Sequence, residues 1–197
     1  MTFVITPRMA PHLHLPVPLM DRNHTSTDIE MIMDPKDRSS SAHMWDPDQK
    51  KLAGYFLPPF QRPPVWTDTQ KIRFIESAHL GITLGSIVVV DALNMRMQDN
   101  GRFAGTDRWL LDGQQRVSAL LAYRNNEITV FAGTACEHRW SDLSEIEQRR
   151  IQHVQIGIIK VMTDDPEYCR EIYDRLNFGG TAHTEDQRAV ATTTARP

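Results

Sequence analysis

Cysteine is nearly absent. Two occur in 197 residues, Cys136 and Cys169, and they form no CxxC pair. That excludes a disulfide framework and fits a reducing compartment. Long apolar runs are missing too. No stretch approaches the ~18 apolar residues of a membrane-crossing helix, so no membrane partner is expected. Prolines and histidines interrupt "MAPHLHLPVPLM", which leaves no continuous signal core near the N-terminus. There is no excess of positive charge. The net charge of −3 argues against a surface that coats nucleic acid broadly, though a local basic patch stays open. No Walker A loop, dinucleotide-binding glycine fingerprint or Gly-x-Ser-x-Gly elbow occurs. His12, His14, His24 and His43 lack the spacing of a zinc site. The expectation is a soluble, cytoplasmic protein of ordinary globular composition, 40% hydrophobic and 24% charged.

Residues 1–50 show no clear hydrophobic period and read as an arm that wraps the domain or frays. Within it, "TFVI" and "LHLPVPL" are candidate edge strands, and "DPKDRSSSAHMWDPDQKK" is a loop. Residues 51–188 form the predicted domain, and 189–197 a tail. "GYFLPPFQRPPVW" is a proline-locked extended entry. "TDTQKIRFIESAHLG" predicts a helix, with a Thr67–Gln70 capping box, an Ile72, Ile75 and Ala78 stripe, and Gly81 as its stop. "GSIVVVD" is a buried strand and "RWLLD" a second one antiparallel to it. "GQQRVSALLAYR" is a helix with Val117, Leu120 and Leu121 on one face, ended by Asn125 and Asn126. "EITVFAG" predicts a short strand or edge, "SDLSEIEQRRIQ" a polar-faced helix and "QIGIIKVM" a strand. "PEYCREIYDRLN" is a helix with Pro166 first and Cys169, Ile172 and Leu176 inward. A last capping box, Thr184 with Gln187, opens another helix. The fold class is α+β: a small mixed sheet with helices inserted between strands.

Three polar groups sit at the junctions. The first is "DGQQR". Asp112 can cap the helix and Gln115 can complete a capping box, with Gly113 making the turn. Arg116 then stands at a helix end that already carries about half a positive charge. It is either solvated there, or it closes an anion site in which free backbone N–H groups and its planar fork hold one phosphate. Beside a phosphate, Asp112 would bind Mg²⁺ or orient a water. The second is "PPFQRPPVW". It is a proline-rich surface loop, or a rigid mount for Gln61 and Arg62 as a second phosphate clamp. The third is "RLNFGGTAHT". Asn177, Gly179 and Gly180 make an ordinary helix end, or a nest of N–H groups close to a ligand. His183 reads as a local structural histidine.

The order "FLPPFQRPPVW", "LGSIVVVD", "WLLDGQQRVSALLAY", "IYDRLNFGG" resembles the ParB/sulfiredoxin-like superfamily, and within it the N-terminal domain of GmrSD-type restriction enzymes. The resemblance spans roughly residues 54–188. It implies a compact α+β domain that binds and hydrolyses a nucleoside triphosphate through Asp112, Gly113, Gln114, Gln115 and Arg116; the Asp112 chemistry above adds Mg²⁺ as the expected cofactor. Relatives in the wider superfamily bind CTP or ATP, and viral members are thought to phosphorylate hydroxymethylated bases in DNA. Three features depart from the pattern. There is no room for the C-terminal nuclease domain such proteins usually carry, His183 stands where an apolar residue is more common, and the arm is extra. A viral or accessory protein would suit these departures.

Three functions are therefore expected in turn. In the first, Arg116 and Arg62 hold phosphate, Asp112 binds metal or positions the nucleophile, and the glutamines, Gln115 among them, orient nucleotide or water. In the second the phosphate acceptor is a modified base in DNA, with Lys71, Arg73 and Arg102 as a basic strip. In the third the domain is a non-catalytic nucleotide sensor, or it docks on a protein partner linked to restriction or anti-restriction. The sequence leaves the oligomeric state open.

Overall fold

A computed structural model describes residues 25–33, 49–91 and 105–178. Several expectations lie outside these residues. They are the "TFVI" and "LHLPVPL" strands, most of the loop after Met33, Arg102, Gly179, Gly180, His183, the Thr184 capping box and the tail. So do His12, His14, His24 and His43.

The architecture is organised around β4 (Ser86–Val90), whose residues Ile87 to Val90 are all buried. Successive strand residues point to opposite faces. Ile87 and Val89 enter one core, and Val88 and Val90 enter the other. A strand covered on both faces is apolar throughout, which explains the "IVVV" run. β6 (Gln155–Val161) lies parallel to β4, with Ile87 opposite Ile158 and Val90 opposite Val161. β5 (Leu110–Asp112) lies antiparallel on its other side, with a register shift at Val88/Val89. β1 (Thr25–Asp28) pairs antiparallel with β6, so the sheet order is β1-β6-β4-β5. β2 (Lys51–Leu52) and β3 (Tyr55–Phe56) form a separate two-stranded ribbon. The α+β expectation of a small mixed sheet with inserted helices holds.

Four helices serve the first core: α1 (Glu30–Met33), α2 (Asp68–His79), α3 (Gln114–Arg124) and α4 (Glu145–Gln152). The second core lies under α5 (Pro166–Phe178). There Cys169, Ile172 and Tyr173 meet Phe56, Phe60, Trp109 and Leu111. Among the described residues no helix is long and apolar enough to cross a membrane.

Local signals explain most element ends. Thr67 and Gln70 exchange both bonds of the capping box at the start of α2, and Gly81 follows its end with φ +71. α4 has a second box, between Ser144 and Glu147.

The arm, expected to wrap the domain or fray, packs on it in part. Its residues 25–33 supply an edge strand and a helical turn, and Ile29, Ile32 and Met33 are buried. Elements that short carry no readable period. Three expectations need correction. "EITVFAG" forms no strand beyond one bridge between Val130 and His138, because Asn126 and Phe131 hold positive φ and break extension. The helix expected from Ser141 begins only at Glu145, after a 3₁₀ turn at Trp140–Asp142. Leu176 is 39% exposed, because Tyr173 closes the inward row of α5 one turn earlier.

α2 and α3 are fastened where His79 Nε2 lies 2.9 Å from the buried Tyr123 hydroxyl. Burial pushes the His79 imidazole from 6.5 down to about 4, and nearby His138 and Arg150 add to the effect. The folded state therefore binds this proton less readily than the unfolded chain. The stability so contributed is complete above pH 6.5 and is lost as pH falls toward 4. Urea midpoints measured from pH 7 to pH 4.5 should fall, and His79→Gln should flatten that dependence.

Candidate active site

The strand-to-helix junction after β5 turns on Gly113. It stands before α3 with φ +102, in the left-handed region, and offers no side-chain cap. This corrects the expected Asp112 cap and its Gln115 capping box, since Asp112 is still the last residue of β5. A β-carbon at Gly113 would overlap the Ile87 side chain and come within 3.2 Å of the Ile87 Cα. The turn thus needs glycine twice, for its dihedral and for its contact with β4.

The three residues that follow leave the helix about 100° apart and go to three different places. Gln114 is buried, and its Oε1 accepts a bond of 3.1 Å from Gln61 Nε2. The Gln115 carboxamide oxygen accepts the backbone N–H groups of Val65 and Trp66, at 3.2 and 3.1 Å. Arg116 Nη1 donates to Asp112 Oδ2 at 3.2 Å and to the Ser86 carbonyl at 3.0 Å. An arginine at the positive end of a helix is thereby matched by a carboxylate from the adjoining strand and a carbonyl at the start of β4.

Gln61 and Arg62 come to this junction from the proline-rich segment. A turn closes from Gln61 N–H to Pro58 O at 2.9 Å. Phe60 anchors the segment edge-on against Trp109, at 5.6 Å, and against Tyr173 at 5.4 Å. The Arg62 N–H donates to the Tyr173 hydroxyl at 3.4 Å. Burial pushes the Tyr173 phenol up, so it stays protonated. Cys169, in the same core, is pushed up to about 12 by burial and by Asp165 and Asp164, and it is no nucleophile at neutral pH.

Beside these residues opens a cavity of about 970 Å³. Gln61, Arg62 and Gln114 line it; Asp112, Gln115 and Arg116 do not. Asn177 turns back along α5, donating to the Tyr173 carbonyl at 2.8 Å. The sequence-based candidates thus divide into those facing the cavity and those behind its wall. The cavity adds residues that the motifs did not single out: Lys50, Thr106, Trp109, Ser118 and Asp164. Ser118 was within reach of sequence reasoning, because it sits four residues after Gln114 and shares its helix face. Trp109 heads the stretch that contains "DGQQR" but does not read as a site residue there, and Lys50, Thr106 and Asp164 come from segments with no motif. Lys50 and Arg62 bring positive charge, and Asp164 brings the one carboxylate among the described lining residues. Three buried polar atoms on lining residues have no hydrogen-bond partner among the described residues: Gln61 Oε1, Thr106 Oγ1 and Trp109 Nε1. Among those residues, too, no group of three or more His, Cys, Asp or Glu is gathered to hold a metal ion.

A family model described as the GmrSD restriction endonuclease N-terminal domain matches residues 46–187. Comparisons with curated proteins and with solved structures return no match.

Two substitutions probe the junction. Gly113→Ala combines a left-handed dihedral with a clash on Ile87 and should cost about 2–4 kcal/mol in chemical denaturation. Gln115→Ala removes the acceptor of two N–H groups that tether the proline segment, and should cost about 1–2 kcal/mol. It should also speed hydrogen exchange at Val65 and Trp66 while leaving the α3 amides protected.

Proposed function

Because the chain belongs to the family of the GmrSD restriction endonuclease N-terminal domain, we propose that it is a restriction-related module whose cavity binds a nucleoside triphosphate. The observation that carries this reading is the cavity itself. Its volume of about 970 Å³ lies at the upper end for small-molecule sites. Its described lining joins two cations, Lys50 and Arg62, to the carboxamide of Gln114 at the first turn of α3. A helix start and an arginine fork favour the same ligand, a phosphate. Arg62 and Lys50 take the phosphates. Gln61, Gln114 and Ser118 offer donors and acceptors that orient the nucleotide. The unpartnered atoms of Gln61, Thr106 and Trp109 support the same reading, since polar groups left buried and unpaired are costly.

In this reading Asp112, Gln115 and Arg116 are positioning residues. Each acts from behind the wall, on the helix start or on the proline segment that carries Gln61 and Arg62. The fit to Mg²⁺ follows from the carboxylates. Asp112 faces Arg116, and Asp164 is the acid on the cavity wall. One carboxylate suffices for an ion held mainly by phosphate oxygens and water. Mg²⁺ so bound would neutralise charge on the terminal phosphates. The reaction is loss of the terminal phosphate to water or to another acceptor, driven by positioning and charge.

The protein contacts already made by Asp112, Gln115 and Arg116 favour a second reading, a module that binds nucleotide without cleaving it. A panel of four NTPs with Mg²⁺, with and without hydroxymethylated DNA, separates the readings by bound nucleotide, released phosphate and phosphate on DNA. Arg62→Ala should weaken nucleotide binding about ten-fold or more, as expected for a lost charge-assisted pair. Binding with intact nucleotide after long incubation would select the sensor. Absence of binding for every NTP would sink both.

A further inference from the structure

On the far side of α3 from its first turn, two histidines converge. His79 is the last residue of α2, and His138 is the residue bridged to Val130. Their Nε2 atoms stand 3.3 Å apart. Two nitrogens each ~2.0–2.1 Å from one tetrahedral ion lie ~3.3–3.4 Å from each other. We propose that His79 and His138 bind a single divalent ion of the zinc class, which ties the end of α2 to the 128–138 segment.

The protonation pattern favours this. The Cys136 carbonyl lies 2.7 Å from His138 Nδ1, and a carbonyl only accepts, so that nitrogen carries the proton. In that tautomer the His138 Nε2 presents a lone pair to His79. A ligating histidine usually donates its other N–H to a carbonyl or carboxylate in this way. His79 Nε2 also faces the Tyr123 hydroxyl, which can donate to it at 2.9 Å. His79 Nε2 has one lone pair, so an ion bound there replaces the Tyr123 bond and joins the lone pairs of the two rings across their 3.3 Å separation.

Both ligands are held before any ion arrives. Glu76, one turn before His79, accepts the Phe131 N–H at 2.8 Å and holds the segment on α2. Backbone bonds of 3.0 and 3.2 Å between Val130 and His138 set the second ring. Rings of Tyr123, Phe131 and His138 surround His79 at centroid distances of 4.8 to 5.7 Å. The negative end of α2 favours a cation. Arg150 opposes it, while Asp142 and Glu147 act on Tyr123 with the opposite sign. With two protein nitrogens, the other coordination positions belong to water.

The test uses the full chain, stripped with a chelator and titrated with ZnCl₂. Histidine ring ¹⁵N signals and the melting temperature are followed. The Nε2 signals of His79 and His138 should move together at one equivalent, and the melting temperature should rise. His138→Gln should lower zinc affinity about ten-fold or more and cancel the thermal gain. Tyr123→Phe should keep zinc binding. Unmoved ring signals in the wild-type chain at saturating zinc would overturn the proposal whether or not any variant folds. So would equal zinc affinity in wild type and His138→Gln.

Discussion

One residue in a left-handed conformation holds the junction around which the cavity is built. Gly113 lets the chain leave β5 and enter α3 while lying against Ile87 of the central strand. The start of α3 is thereby set relative to the sheet. From that start, three successive side chains reach the proline segment, β4 and the cavity. A change in the turn would rotate all three together, because helix geometry ties their directions to one another.

The pair formed by Asp112 and Arg116 belongs to the same constraint. Its side chains are 38% and 29% exposed, so its direct contribution to stability is about 1 kcal/mol or less. Its geometric value is larger. Arg116 bonds the end of β5 and the beginning of β4 at once, while sitting on α3. Three elements meet at one guanidinium. Gln115 extends the clamp to Val65 and Trp66, and so to the segment that carries Gln61 and Arg62. The five-residue motif is thus a scaffold for the cavity, with Gln114 as its member on the lining.

α3 also joins two chemically distinct regions. Gln114 stands at its first turn and Tyr123 near its last, separated by ~14 Å of helix. The first end meets amides and cations around a cavity. The second meets two histidines, a phenol and the rings of Phe131 and Trp140. Both groups of side chains rest on one rigid element, buried at Val117, Ala119 and Leu120.

Much of this was legible in the chain. The Thr67 capping box, the apolar run of β4, the strand β6 and Pro166 at the head of α5 are local signals, each written within a few residues. The Gln-Arg pair between prolines and the glycine of "DGQQR" marked the junction for the same reason. The structure decided what depends on partners far along the chain. Asp112 had the composition of a cap, yet its carboxylate pairs with Arg116, because Gly113 ends the strand one residue later. Gln114, Gln115 and Arg116 are adjacent in sequence and diverge in space. Lys50, Thr106 and Asp164 carry no motif and share a cavity. His79 and His138 are 59 positions apart and meet at 3.3 Å. Local sequence determines dihedrals and periodicity, so it determined elements, ends and the site's neighbourhood. Which side chains face one another is decided only when the elements pack, since packing alone brings distant residues within bonding range.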